Sequence, residues 1–342
     1  MGTEEAGNHG LSETVRRPRG SVLIMVVWTV ILLSVLVAGM GAQGLLAFNV
    51  TERMEHRLQA SYLAQAGVQQ ALKVLAADTT SAVDWLGDVW ANHEAMLTQQ
   101  TLGRGSWTVG IPSGPEASPP IYGLVDEERK LNLNTIPAEL FRTLLEDQGQ
   151  VREDDARRIA DAMEDWRDVD DDPRPDGAEQ FYYLGLQEAY ECHNGPFEQL
   201  EELRLVRGMT PEVYARVAPA LTVHGSGRVN LNTAGRLALR TLGVSDDGVA
   251  SFLADRAGPD GQEGTTDDHY LTTVSALDAE LATVLSVEDR QRLLQWAQKN
   301  LLGVRSEAFQ VFVTATVPGM TAPVYVNSVI NRSGKILTWA EW

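Results

Sequence analysis

The chain holds one cysteine, Cys192, so no internal disulfide can form and the fold must be held by its core or by bound ions. Histidine is also scarce, with 6 in 342 residues. His93-Glu94 begins an H-E-x-x-H zinc motif, but Leu97 stands where the second histidine is needed. No G-x-S-x-G nucleophile elbow and no G-x-x-x-x-G-K-[ST] phosphate loop occurs. These absences remove the common hydrolase, zinc-protease and nucleotide-binding readings, and a protein that is not an enzyme is expected. Positive charge is in short supply as well. Against 47 Asp and Glu stand 28 Lys and Arg, a formal net charge of −19. Such a surface repels polyanions and suits a solvated extracytoplasmic domain or one that binds cations.

Charge is absent altogether from one long stretch. In "RRPRGSVLIMVVW" (16–28), Arg16, Arg17 and Arg19 crowd against Gly20, and no charged residue follows until Glu52. Residues 21–48 are long enough to cross a bilayer as a helix. The run is too long for the core of an ordinary signal peptide, and the candidate cut lies before it. The arginines place the first twenty residues in the cytoplasm and the rest of the chain outside. The plain reading of these residues is an N-terminal anchor. Helical pattern continues through "TERMEHRLQASYLAQAGVQQALKVLAAD" (51–78), where Leu58, Tyr62 and Ala66 form one row and Ala64, Val68, Leu72 and Leu75 another. Together they make an apolar stripe on a polar rod, with Gly67 its one weak point. A single helix is expected from about 21 to 77.

Beyond this helix, strand signals lie near residue 110 and again at the C-terminus. "SWTVGI" (106–111) and "IYGLVDE" (121–127) flank the loop "PSGPEASPP" (112–120). "FQVFVTATV" (309–317), "VYVNSVINR" (324–332) and "KILTWAEW" (335–342) form a terminal meander. Between the two sets the pattern is mainly helical. The predicted fold is α+β: a long N-terminal helix packed on an antiparallel sheet, with a large helical insertion. The expected segments are a leader 1–20, a helix 21–78, a first sheet part 79–126, an insertion 127–304 and closing strands 305–342.

The insertion contains a repeat. "KLNLNTIPAELFRTLLE" (130–146) is echoed by "RVNLNTAGRLALRTLGV" (228–244), with Thr135 and Thr233 as expected helix N-caps. Between the copies, "PFEQLEELRLVRGMTPEVYARVAPALTVHG" (196–225) places Arg207-Gly208-Met209 before Thr210-Pro211, a helix start with Pro in its first turn. Two short helices joined by a glycine hairpin resemble helix–hairpin–helix or SAM-like modules. Such modules often hold DNA phosphates, but Glu198, Glu201, Glu202 and Glu212 surround Arg204 and Arg207 here. Acids oppose phosphate contacts, so protein packing is expected and nucleic-acid binding is not.

"DWRDVDDDPRPDGAEQFYYL" (165–184) carries the sharpest local signal. Counted from Asp168, the acids Asp170, Asp172, Asp176 and Glu179 fall third, fifth, ninth and twelfth, the offsets of a twelve-residue calcium loop. Arg174 holds the seventh position, where a backbone carbonyl serves, and Asp171 is a ligand or a neighbour. Pro173 stands where an EF-hand has glycine, so the loop cannot follow the standard EF-hand path. Calcium is the expected cofactor. "DRAGPDGQEGTTDDHY" (255–270) gathers Asp260, Glu263, Asp267 and Asp268 in a glycine-rich loop, a second candidate metal site with no template spacing.

A basic leader ending in glycine, then a helix half in the membrane, resembles a type IV pilin or a type II secretion pseudopilin. The acidic loop, the Asn-Leu-Asn-Thr repeats and the terminal meander extend the resemblance to the pseudopilin class called general secretion pathway protein K. The resemblance implies a prepilin-peptidase cut between Gly20 and Ser21, methylation of the new amine, and an inner-membrane anchor with a periplasmic domain. It implies calcium in the insertion, and work with other minor pseudopilins at a filament tip and with the inner-membrane secretion platform. Met25 departs from the pilin pattern, which has Glu at the fifth mature position. A carboxylate in hydrocarbon needs a partner, and the protein K class typically lacks it. Two other readings remain on the sequence: a minor type IV pilin, and a membrane-tethered DNA receptor using the helix–hairpin–helix modules.

Overall fold

The computed structural model describes residues 21–80, 82–111 and 122–342. The expected leader with Gly20 and the loop 112–120 lie outside the described residues. The residues up to His56 and those from Arg57 to Trp342 form two compact units. The described residues of the first are helical, the opening part of α1 (Ser21–Ala76), and among them Val22–Met40 is long and apolar enough to cross a membrane.

In the second unit the rest of α1 is followed, after a stretch of turns, by a short helix, α2 (Glu94–Leu97), and strands β1 (Gln100–Leu102), β2 (Gly105–Val109) and β3 (Val125–Asp126). The insertion comes next. Its first module runs β4 (Leu131–Asn132), α3 (Ala138–Asp147), α4 (Glu153–Arg167), α5 (Gln180–Leu184), α6 (Pro211–Val217) and β5 (Leu221–Thr222). Its second runs β6 (Val229–Asn230), α7 (Arg236–Thr241), α8 (Asp246–Arg256), α9 (Leu277–Glu280), α10 (Val287–Gln298) and β7 (Leu302–Gly303). The chain then returns as β8 (Ala308–Thr316), β9 (Val324–Asn331) and β10 (Ile336–Glu341). The sheet order is β1-β2-β8-β9-β10, every neighbour antiparallel, with β3 also paired to β8. Strands from before and after the insertion therefore share hydrogen bonds, and the insertion interrupts one sheet.

Period-two alternation sends Phe309, Val311, Val313 and Ala315 of β8 inward to meet Ala60, Leu63, Ala64, Val68, Ala71, Val74 and Leu75 of α1. Only one of the two expected rows of α1 lies in that contact. Ala64, Val68 and Leu75 are buried, whereas Leu58 and Tyr62 are 57% and 62% exposed. The weak point also has a different meaning. A Cβ on Gly67 would come within 2.5 Å of Val313 and 2.9 Å of Trp107, so its bare backbone is what lets the helix lie close on the sheet.

The Asn-Leu-Asn-Thr repeat marks a duplicated structural unit. In each module the strand that ends on the first asparagine of the repeat pairs in parallel with the strand that closes the module, β4 with β5 and β6 with β7. The first asparagine accepts from the backbone N–H of the second: Asn132 from Asn134 at 2.9 Å, Asn230 from Asn232 at 3.0 Å. The second clamps a distant backbone from both sides. Asn134 donates to the Phe197 carbonyl and accepts from its N–H, and Asn232 does the same with Leu271. An arginine at the end of each long helix then caps the turn. Arg167 donates to the carbonyls of Leu133 and Ile136, and Arg256 to those of Leu231 and Ala234. These bonds occupy backbone groups that burial would otherwise leave unpaired.

The expected threonine caps do not form. Pro137 and Gly235 occupy the N-cap positions of α3 and α7, while Thr135 donates to the Gly227 carbonyl and Thr233 to the Asp126 carboxylate. Each turn is longer than a capping geometry allows, and the hydroxyls are drawn to tertiary partners. Thr210 does cap α6, accepting from Val213 N–H at 3.3 Å, with Pro211 in the first turn.

A buried polar knot joins the insertion to the sheet. Asp126 accepts from Ser306 at 2.6 Å and from Asn230 at 3.2 Å. Glu128 accepts from the backbone N–H groups of Ser226, Glu307 and Ala308. Burial and the neighbouring Asp126 charge push the Glu128 carboxyl up to about 7.

Candidate metal centre

The end of α4 sets the site. Acids at its N-terminus and Arg167 at its C-terminus suit the helix dipole, and Arg167 ties the last turn to the repeat below. Trp166 faces the module core, edge-on to Tyr183 at 5.1 Å, and Asp165 beside it is buried. The chain then leaves the helix at Asp168 and returns through "DVDDDPRPDGAE" (168–179), which ends with Glu179 at the start of α5.

This return brings Asp165, Asp168 and Glu179 together, one carboxylate oxygen of each lying within 4.8 Å of the others. Gly177 is needed at the turn, because a Cβ there would strike the Asp165 carboxylate. Arg174, held between Pro173 and Pro175, bridges two of the acids. Its Nη1 donates to Asp165 Oδ1 at 2.9 Å and to Asp168 Oδ2 at 2.6 Å, and its backbone N–H also reaches Asp165. The sequence pattern gives Arg174 only a carbonyl role. That carbonyl accepts from Gly177 N–H at 3.0 Å, and the side chain is the part that enters the cluster.

Several acceptors in this loop have no donor. Glu179 is 4% exposed. Both of its oxygens, Oδ1 of Asp168 and Oδ1 of Asn194 are buried without a hydrogen-bond partner. Burial, and then the charges of Asp165 and Asp168, push the Glu179 carboxyl up to about 7. Asp165 is also raised by burial, against the pull of Arg174. A buried acceptor without a donor is costly, and a hard cation satisfies it. The donor set is all oxygen, which suits calcium or magnesium better than zinc or copper.

Not every acid of the expected loop joins. Asp170 accepts from Asp172 N–H, Asp171 accepts from Asn194 Nδ2 at 2.9 Å, and Asp172 is exposed. Asp176 turns away to Arg157 at 2.8 Å. Asp165 and Asn194 lie outside the set that the loop spacing picks out. Asp165 has a sequence signal, since it lies one helical turn before Asp168 on the buried face of α4. Asn194 has none, being brought back by the tertiary path.

The second acidic loop is built differently. Glu263 pairs with the buried Arg256 at 2.5 Å. Asp260 accepts from Gln262 N–H, Asp267 from Thr265 and Asp260 N–H, and Asp268 from Gly264 N–H and Thr265. Each carboxylate thus has its own donor, and these four are not gathered as the first three are. A third acidic group, Asp78, Asp84 and Asp88, holds its own cation, since Arg332 pairs with both Asp78 and Asp84.

Known proteins share this outline. Residues 121–226 match the family described as Type II secretion system (T2SS), protein K. The chain is 29% identical over 261 residues to Type II secretion system protein K of Pseudomonas aeruginosa, covering 74% of this chain and 76% of that one. It is 27% identical over 237 residues to the protein of that name from Klebsiella pneumoniae, covering 64% and 67%. Its fold matches a chain in the crystal structure of the GspK-GspI-GspJ complex from the enterotoxigenic Escherichia coli Type 2 Secretion System, with a TM-score of 0.65 and 20% identity, over 85% of this chain and 99% of that one. An interrupted antiparallel sheet under an N-terminal helix, an apolar span before it and these relatives point one way: the chain is similar to the protein K proteins of type II secretion systems, and its residues 121–226 match that family.

Proposed function

We propose that this protein is a minor pseudopilin of a type II secretion system, anchored in the inner membrane and working at the tip of a short periplasmic filament. The observation that carries the reading is one helix in two roles. Val22–Met40 is apolar enough to span a bilayer, and the residues after Arg57 lie on the interrupted sheet. The helix keeps Leu58 and Tyr62 exposed one turn apart, off the sheet, where the helix of a neighbouring subunit can cover them. The Escherichia coli chain of like fold was crystallised with GspI and GspJ, and other minor pseudopilins are the proposed partners here. Prepilin peptidase and the inner-membrane platform complete the proposed set.

The insertion, read as a pair of SAM-like or helix–hairpin–helix-like modules, adds bulk between β3 and β8. A subunit of that shape starts a filament and blocks addition above itself. Met25, lacking the carboxylate that pairs with a neighbouring amine, suits an end position. Calcium would be held by Asp165, Asp168 and Glu179, where it supplies positive charge to orphaned oxygens and ties α4 to α5. The acidic surface disfavours the DNA-receptor reading, and no reaction is assigned.

The test is an intact-mass measurement on protein extracted from membranes of cells that carry the rest of the secretion system. Loss of residues 1–20 with one added methyl group is expected. A full-length, unmodified chain would return the reading to a plain membrane anchor.

A further inference from the structure

Arg174 is the one cation inside the proposed calcium site among the described residues, and it occupies only some of the oxygens. It takes Oδ1 of Asp165 and Oδ2 of Asp168. It leaves Oδ1 of Asp168 and both oxygens of Glu179 with no donor. Asp168 is therefore split, one oxygen on the guanidinium and the other free. Once all three carboxylates are ionised, as ion binding requires, they and the guanidinium carry a formal charge of −2, which a divalent ion cancels. The backbone on either side of Arg174 is fixed by Pro173 and Pro175, and its Nη2 also lies 3.7 Å from Glu164 Oε2. Nothing in this arrangement requires the guanidinium to leave when an ion arrives on the free oxygens.

Resting on the calcium reading above, we propose that Arg174 is a resident member of the metal site, a specificity-determining residue that stays on Asp165 and Asp168 beside the ion and tunes the site to divalent cations. A fixed positive charge opposes a trivalent ion half again as strongly as a divalent one, because the energy scales with ionic charge. Removing it must therefore shift preference toward trivalent ions, whatever it does to affinity overall. A residue that only packs would not move that ratio.

The experiment titrates the full chain in detergent, stripped with EGTA, with calcium chloride and separately with terbium chloride. Tryptophan-sensitised terbium emission and its displacement by calcium give both Kd values, and Trp166, next to Asp165, is a nearby donor. In Arg174→Gln the ratio of the calcium Kd to the terbium Kd is expected to rise about tenfold or more. Arg174→Lys, which keeps the charge, is expected to hold the wild-type ratio. Arg174→Met serves as a second neutral variant should the glutamine form fail to fold. An unchanged ratio in the neutral variants, with wild-type protein binding calcium, overturns the role of Arg174 and leaves the calcium site standing. Wild-type protein that binds no calcium overturns the site itself.

Discussion

At the residue scale, unmet hydrogen-bonding capacity decides which acids matter. The sequence offers a dense run of carboxylates, yet most find a donor nearby, and Glu179 finds none. Replacing it by glutamine removes one of three clustered negative charges. In EGTA, Glu179→Gln is expected to melt about 2–4 °C above wild type, and added calcium should no longer raise its Tm. Differential scanning fluorimetry reads both. Glu128 gives a pH prediction from the sheet junction. Its carboxyl is raised to about 7 by burial and by Asp126, so between about 4.5 and 7 the folded state keeps a proton that the unfolded chain has lost. The stabilisation from this group is complete below 4.5, the ordinary value, and is lost as pH rises through the folded value. Urea unfolding at pH 5, 6 and 7 should therefore show a shallower fall in stability for Glu128→Gln than for wild type, the difference reaching at most about 1.4 kcal/mol per pH unit. Asn232→Leu removes both bonds to the buried Leu271 backbone and should cost about 2–3 kcal/mol by the same measurement.

At the element scale, α1 is read by its two sides. The side on the sheet is close-packed at Gly67, and Gly67→Ala forces a Cβ against Val313 and Trp107. Overpacking costs about 1–3 kcal/mol, against about 1 kcal/mol gained in helix propensity, so a net loss of stability is expected from chemical denaturation. The exposed side should behave in the opposite way. Leu58→Asp with Tyr62→Asp is expected to leave the Tm of the isolated protein within about 1 °C while reducing co-purification with other minor pseudopilins. Equal recovery of partners would remove these residues from the interface. Sequence periodicity places Leu58 and Tyr62 in the same stripe as Val68. A 3.6-residue period cannot say how wide a face the sheet covers, and β8 covers only the row around Ala64 and Val68.

At the scale of the whole molecule, two hydrophobic cores are tied by the knot at Asp126, one between α1 and the sheet and one inside the insertion. The proposed calcium lies in the second alone. EGTA should therefore expose 168–195 to limited proteolysis while the strands β8 to β10 stay intact, a pattern that fragment masses would reveal. Cleavage spread over both cores would show instead that the ion supports the entire domain. The duplication also explains why the two acidic loops differ. Each comes after the arginine that closes a long helix, but Glu164, within α4, pairs with Arg167, whereas Arg256 draws its acid, Glu263, from the loop itself. The second loop thus spends an acid on its own arginine, whereas in the first the helix supplies that acid and Glu179 is left without a donor.

Local pattern alone determined the apolar span, the alternating strands β8 and β9, the repeated Asn-Leu-Asn-Thr turn and the position of the acidic loop, because each depends on neighbours within a few residues. Tertiary structure decided what no local rule contains. It brought Asp165 and Asn194 to the loop, sent Asp176 away to Arg157, and moved Thr135 and Thr233 from helix caps to distant acceptors. The physical reason is common to all three. A side chain's partner is set by which group the folded chain brings within reach, buried or exposed, and that is known only after the chain has come together.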